Sequence, residues 1–443
     1  MSWLVLQWSQ PLSFPAMNRH LYTLLFHLCL PLIGLRLIWR AWRAPAYAKR
    51  VGERFAFGLP PLRSGGIWVH AVSVGESIAA APLVRELLAR YPELPITLTS
   101  MTPTGSERIR ALFPEEQFAG RVQHCYLPYD LPWAASRFLE RVRPRLAVIM
   151  ETELWPNYIH QCARRGIPVA LANGRLSERS ARGYGRFAKL TAPMLAELTL
   201  LAVQSQVEAQ RFIALGARPE AVEVTGSIKF DQQVDATVLA RATTLREQWQ
   251  AQQRPVWIAA STREGEDALV IQAHQQLLAT QPDALLILVP RHLERFDSAA
   301  AQLREAGLSF VRRSSGEAVG PNVQVLLGDS MGELMFLYGL ADVAFVGGSL
   351  VETGGHNPLE PAALGLPVIM GPHRFNFQEI TAQLLERGAL CEVADAKALG
   401  AQVALLLHEP ARAAAMREAG LAVLKANQGA LQRLLDGLAR LLA

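Results

Sequence analysis

Cysteine is scarce and scattered. Four residues, Cys29, Cys125, Cys162 and Cys391, are spread over a chain of 443, without the close pairs that hold zinc or the density that staples small secreted domains. A disulfide framework is therefore not expected, and a reducing compartment is the simpler setting. The ten histidines form neither HExxH nor a Cys/His cluster, so no metal site built by the protein is expected. Charge is sparse too: 19% of residues are charged, with 44 Lys plus Arg against 39 Asp plus Glu for a net +5. No basic stripe with interleaved aromatics appears, which speaks against nucleic acid as a partner. Low-complexity tracts and short internal repeats are also missing.

What is present in quantity is apolar surface, with 50% of residues hydrophobic. Such a length and composition predict two or three domains with sizeable cores, and the mild positive charge points to anionic lipid or phosphorylated partners. Part of the apolar excess is local. Leu21 to Trp39 reads LYTLLFHLCLPLIGLRLIW, which as one helix would extend ~28 Å at 1.5 Å per residue, close to a bilayer's hydrocarbon thickness. Arg40, Arg43, Lys49, Arg50 and Arg54 follow this segment and only Arg19 precedes it, so the positive-inside bias leaves the bulk of the chain in the cytoplasm. Arg residues around Arg40–Ala46 make a poor signal-peptidase site. The expectation is a single membrane-anchor helix within 17–45, either spanning or lying in the interface, preceded by an unstructured extension at 1–16, with Met17 an alternative start.

Beyond Ile67, short apolar runs alternate with helical patterns. Ile67–Val72, Ile96–Ser100, Val122–Leu127, Leu146–Met150, Val169–Ala172 and Leu200–Val203 form a first set of strands. A Gln-rich connector helix, Leu239–Gln253, separates them from Val256–Ala260, Leu285–Val289, Phe310–Val311, Val323–Leu327, Val343–Val346 and Val368–Met370. The rhythm means βαβ units and parallel sheets. Domains are expected at 46–235 and 236–425, with a C-terminal helix at 426–443 that could cross back to the first. Ligands in such sheets bind at the carboxyl ends of strands, so the loops there carry the chemistry.

The first strand runs into WVHAVSVGES, where Gly75 permits a tight turn and Glu76 opens a helix. A carboxylate there is either a helix-dipole partner or a general base, and the helix terminus alone would lower its proton affinity. METELWPN offers Glu151 and Glu153, which share a face only if the strand persists; either one beside Glu76 would raise a carboxylate pKa. TGSIKFD places Lys229 after an apolar strand, as a solvated loop lysine or a cation for developing negative charge. In the second set, AASTREGE, VPRHLER, GDSMGEL and GGSLVETGGHNPLEPAALG each end a strand and open a helix, an arrangement suited to phosphate. Arg291 could grip phosphate oxygens, Gly347, Gly348, Gly354 and Gly355 would let a ligand approach the backbone, and Glu360 could accept from ribose hydroxyls while Asn357 caps the helix. Together these loops predict a nucleotide site.

The strings HAVSVGES, MTPTGSERI, YLPYDLP, METELWPN, TGSIKFD, VPRHLERF, GDSMGELM and FVGGSLVETGGHNPLEP, with RAPAYAKRVGERFAFG before them, resemble the 3-deoxy-D-manno-octulosonic acid (Kdo) transferases of lipopolysaccharide assembly from about Met17 to the carboxyl terminus. The resemblance implies a GT-B α/β architecture: two Rossmann-like domains facing a cleft, the first binding acceptor and the second CMP-Kdo, behind an N-terminal membrane-anchor helix. It implies inverting transfer of Kdo from CMP-Kdo to the lipid A precursor lipid IVA, without a cofactor, at the cytoplasmic face of the inner membrane. Carried over by position, Glu76 matches the proton acceptor, and Glu151 and Lys229 match transition-state stabilisers. CMP contacts fall on Pro290, Arg291, Met331, Gly332, Glu333, Asn357, Pro358, Leu359 and Glu360, with Ser261, Arg263 and His356 as further donor contacts. Two departures stand out. STREGE puts Arg263 where the family pattern STHEGE has His, and residues 1–16 match nothing in the pattern. The alternatives are a UDP-using glycosyltransferase or epimerase of the same architecture, and a non-catalytic, membrane-attached lipopolysaccharide-binding protein.

Overall fold

The computed structural model describes residues 17–118, 120–231, 234–249 and 254–443; the extension expected at 1–16 and the end of the expected connector helix lie outside these. The described residues form two compact units, one from 17–228 with 429–443 and the other from 229–428. Each is a doubly wound α/β layer structure around a seven-stranded, wholly parallel sheet.

In the first unit the strands are β1 (Ile67–His70), β2 (Ile96–Ser100), β3 (Val122–Tyr126), β4 (Leu146–Met150), β5 (Val169–Gly174), β6 (Leu200–Val203) and β7 (Val222–Val224). Their order is β3-β2-β1-β4-β5-β6-β7. Both faces are covered, because successive side chains point to opposite sides: Ile67 and Val69 join Leu83, Val84 and Leu87 on one side, whereas Trp68 packs with Phe138 and Tyr158 on the other. His70, although it opens the HAVSVGES motif, is a core residue whose Nδ1 lies 2.9 Å from Thr99 Oγ1. The last helix, Ala430–Leu442, places Ala430, Leu434, Leu435 and Leu438 in this unit's core.

The second unit contains β8 (Val256–Thr262), β9 (Leu285–Pro290), β10 (Phe310–Arg312), β11 (Val325–Leu327), β12 (Val343–Val346), β13 (Val368–Met370) and β14 (Leu390–Glu392). They are ordered β10-β11-β9-β8-β12-β13-β14. Strand order reverses between β1 and β4 in one sheet and between β8 and β12 in the other, the positions where such sheets open to ligands. The connector helix runs from Ala236 to Gln248.

The single anchor helix expected within 17–45 is not what forms. Two helices, Arg19–Leu28 and Leu30–Arg43, meet at Cys29 with a bend of 52°. Pro31 is the cause: it has no N–H to give the His27 carbonyl, and its ring crowds that carbonyl. Among the described residues no single helix is long and apolar enough to cross a membrane, and the pair meets that requirement only taken together. Neither helix has a buried residue. Leu32, Leu35, Ile38 and Trp42 recur along one side of the second helix, with Trp42 82% exposed. The first helix lies against the body of its unit, where Arg19 (3.3 Å) and Thr23 (3.0 Å) donate to Asn157 Oδ1.

Candidate active site

Glu76 stands in the first turn of the helix Val74–Arg90, at the carboxyl end of β1. Ser73 caps that helix: its hydroxyl oxygen accepts from Glu76 N at 3.4 Å and its O–H donates to Glu76 Oε1 at 2.9 Å, while Val72 N donates to Glu76 Oε2 at 2.9 Å. This Ser-x-x-Glu reciprocity is a capping box. The helix end and these hydrogen bonds favour a charged carboxylate. Burial acts the other way and wins, and with smaller contributions from Glu153 and Glu151 it pushes the pKa up from 4.5 to about 7. Glu153 is itself raised, by burial and then by Glu151.

The two METE carboxylates do not continue their strand. β4 ends at Met150, and Glu151 turns away with φ 53°, its N–H bonded to Ala172 O at 2.9 Å. Asn173, near the end of β5, has φ 56°; its Oδ1 accepts from Ile228 N at 3.2 Å, and its amide nitrogen is buried without a hydrogen-bond partner among the described residues. Left-handed backbone in non-glycine residues is costly and gathers at functional sites. Both residues lie on the strand-end side of this sheet that carries Glu76.

The second unit shows the same habit at Ser261, φ 60° at the end of β8. Just beyond it, buried Glu266 opens the helix Glu266–Leu278 and accepts four backbone N–H bonds: Arg263 N (2.9 Å) and Gly348 N (2.6 Å) on Oε2, and Ser349 N and Leu350 N (2.9 Å each) on Oε1. This corrects the reading of the Gly347–Gly348 loop as an open phosphate cradle, since the chain's own carboxylate occupies those donors. Gly347 is glycine for the same internal reason. A Cβ there would lie 2.8 Å from Ser261 O and 2.9 Å from Ala260 O, so the space it leaves is filled by β8 and not kept for a ligand.

Around this frame the CMP candidates take definite places. Pro290 ends β9, and Arg291 N bonds to Thr262 O at 3.0 Å. Met331 is exposed, Gly332 has φ 85°, and Glu333 accepts from Ser330 Oγ (2.6 Å) and Arg313 (3.0 Å). Burial would raise the Glu333 pKa, but those hydrogen bonds hold it below the usual value. Asn357 Oδ1 accepts from Leu359 N at 3.1 Å and its amide donates to Glu360 Oε1 at 3.3 Å, next to Pro358 at the start of the short helix Leu359–Ala363. Burial raises Glu360. Arg263 reaches His356 (3.2 Å) and His292 (2.5 Å). Lys229 lies in the turn Ile228–Phe230, its Nζ 5.9 Å from the Phe377 ring centre. Sequence reasoning missed Ser73, Glu266 and His292. The Ser-x-x-Glu spacing could have revealed the first, whereas Glu266 finds three of its four partners on a distant loop and leaves no local signal.

Two parallel doubly wound sheets, each with polar residues gathered on the strand ends at its switch point, define a GT-B-like glycosyltransferase fold. Consistent with this, residues 268–422 match the family described as glycosyl transferases group 1. UDP-GlcNAc 2-epimerase from Neisseria meningitidis shares the fold over 85% of this chain and 100% of its own, at TM-score 0.57 and 14% identity. Residues 49–232 match the family described as 3-deoxy-D-manno-octulosonic-acid transferase (kdotransferase). The chain is 47% identical to the 3-deoxy-D-manno-octulosonic acid transferase of Haemophilus influenzae over 95% of its length and 98% of the relative's, and 42% identical to that of Bordetella pertussis over 95% and 99%. It belongs to the 3-deoxy-D-manno-octulosonic acid transferases and is a glycosyltransferase.

Proposed function

We propose that this transferase moves Kdo from CMP-Kdo to the lipid A precursor lipid IVA in lipopolysaccharide assembly, inverting the anomeric configuration, with Glu76 as general base. The observation that carries the reading is the half-buried, hydrogen-bonded Glu76 at the end of β1, whose pKa of about 7 suits a base at neutral pH. As the lipid hydroxyl oxygen bonds to the anomeric carbon, Glu76 takes its proton and CMP departs with the electrons of the broken C–O bond. Glu151 and Lys229 stabilise charge as it develops, and Arg291 faces the phosphate. Pro290, Met331, Gly332, Glu333, Asn357, Pro358, Leu359 and Glu360 line the CMP site, with Ser261 and His356 beside it. The Asn357–Glu360 pairing supports this, since it orients a carboxylate for ribose hydroxyls.

The acceptor keeps its acyl chains in the bilayer, and the exposed apolar side of the helix Leu30–Arg43, with Arg36, Arg40 and Arg43 around it, suits the cytoplasmic surface of the inner membrane. The Thr23–Asn157 contact favours a helix pair lying in the interface.

Glu76→Gln tests the base. Turnover of CMP-Kdo and lipid IVA should fall by ~10²- to 10⁴-fold while CMP binding, measured by calorimetry, is retained; a fully active variant would remove the assignment. Titrating UDP beside CMP separates this reading from a UDP-dependent enzyme of the same fold.

A further inference from the structure

Arg54 is 2% exposed and sits in the turn Val51–Phe55, between two residues of left-handed backbone, Arg50 (φ 59°) and Ala56 (φ 54°). Its guanidinium lies over the Tyr126 ring, 4.2 Å from the ring centre. Nη1 donates to Met101 O at 2.9 Å, whereas Nε and Nη2 are buried without a hydrogen-bond partner among the described residues. The carboxylate next to it in sequence is committed elsewhere. Glu53 accepts from Arg50 Nε and Nη2, both at 2.6 Å, and from Tyr126 N at 2.9 Å. A buried cation without a counter-ion is expensive, and left-handed backbone at non-glycine residues adds to the cost. Packing does not account for it, since a methionine would fill similar space over the same ring without burying a charge.

The bond that Arg54 does make leads toward Glu76. Met101 belongs to the loop after β2, and that loop holds the backbone of Val72: Met101 N–H donates to Val72 O at 3.3 Å and Thr102 Oγ1 donates to the same oxygen at 3.4 Å. Val72 N–H then donates to Glu76 Oε2 at 2.9 Å. On its other side, the carbonyl of Arg54 accepts from Tyr129 N at 2.8 Å, just beyond β3. One residue thus ties together the carboxyl ends of β3, β2 and β1.

We propose that Arg54 is a positioning residue for the base: by gripping Met101 O it sets the Val72 N–H that orients the Glu76 carboxylate. It acts through the loop after β2, with a hydrogen bond of stated length at every link. The proposal rests on the reading of Glu76 as base given above.

Arg54→Met in the full chain keeps the volume over Tyr126 and removes the grip. With CMP-Kdo and lipid IVA, kcat should fall by about 10- to 100-fold, the scale expected when a catalytic group is displaced, while KM for CMP-Kdo stays within about twofold. The thermal midpoint should hold or rise, because an unpaired buried charge has been removed. Burial raises the Glu76 pKa most and the Val72 bond opposes it, so a slackened bond should carry the acid limb of kcat/KM to higher pH. Glu153 and Glu151, the other charged groups that act on Glu76, stay in place. Arg54→Lys can still donate to the carbonyl and should restore part of kcat and part of the limb. Unchanged kcat would overturn the proposal. So would a joint fall in kcat and midpoint with the limb unmoved, which would make Arg54 a scaffold residue. If Arg54→Met does not fold, Thr102→Val withdraws the hydroxyl from Val72 O and should move the limb the same way; an unmoved limb there overturns the proposal equally. Full activity of Glu76→Gln would remove the base, and the proposal with it, and that result is seen without any change at Arg54.

Discussion

Glu76 holds two positions at once, as the third residue of a capped helix and as a half-buried carboxylate that feels two others. The first favours its charge and the second opposes it more strongly, so the pKa is about 7. A base must be deprotonated, so kcat/KM should rise with unit slope as pH increases toward about 7 and level above it. Glu153→Gln removes one of the smaller raising contributions and should move that limb to lower pH in the same rate profile. Linkage runs in the matching direction. With its folded pKa above the ordinary carboxylate value, Glu76 favours folding most below pH 4.5 and loses that contribution as pH rises through about 7. Glu76→Gln should therefore compare best with the unmodified chain, in thermal midpoint, at pH 8 and less well at pH 5. The sequence made Glu76 legible as a candidate, because Gly75 and the helix start after the first strand are local. Its pKa was not legible, since burial and the approach of Glu151 and Glu153 arise from another strand.

Between strands the decisive group is Glu266, whose four N–H bonds tie the ends of β8 and β12 together. Glu266→Gln keeps one acceptor oxygen and turns the other into a donor facing donors. Leaving such groups unsatisfied costs about 1–3 kcal/mol each, so the unfolding midpoint of the second unit should drop, with denaturation followed by Trp257 burial as the check. Most strands were readable from composition alone, because parallel strands buried on both faces are continuous apolar runs. β7 and β14 were not, since Val222–Val224 and Leu390–Glu392 are short edge strands that each hold a glutamate in place of a continuous apolar run. The pair Gly347–Gly348 misled for a related reason: a glycine needed by a neighbouring strand looks in sequence the same as one that makes room for a ligand. At the amino end, hydropathy correctly located an apolar segment but overestimated its continuity, because one proline outweighs the average of its neighbours.

For the molecule as a whole, the exposed side of residues 30–43 and the donor loops belong to different units and should fail separately. Removing residues 1–42 should lower turnover on membrane-embedded acceptor far more than it lowers CMP affinity; equal loss of both would indicate damaged folding instead. Ala430–Leu442 packs into the core of the first unit, and its bearing on biosynthesis comes from that packing. The first unit is translated first but lacks part of its core until Ala430–Leu442 appears. At ~5–20 residues per second that wait is roughly 10–40 s, during which the second unit can fold to completion. A nascent chain ending at Gln428 should therefore have a protease-sensitive first sheet beside a protected, CMP-binding second one. Completion of the first sheet thus waits on residues made after the whole second unit, so a chain stopped before Ala430 leaves the earlier-made half unfinished.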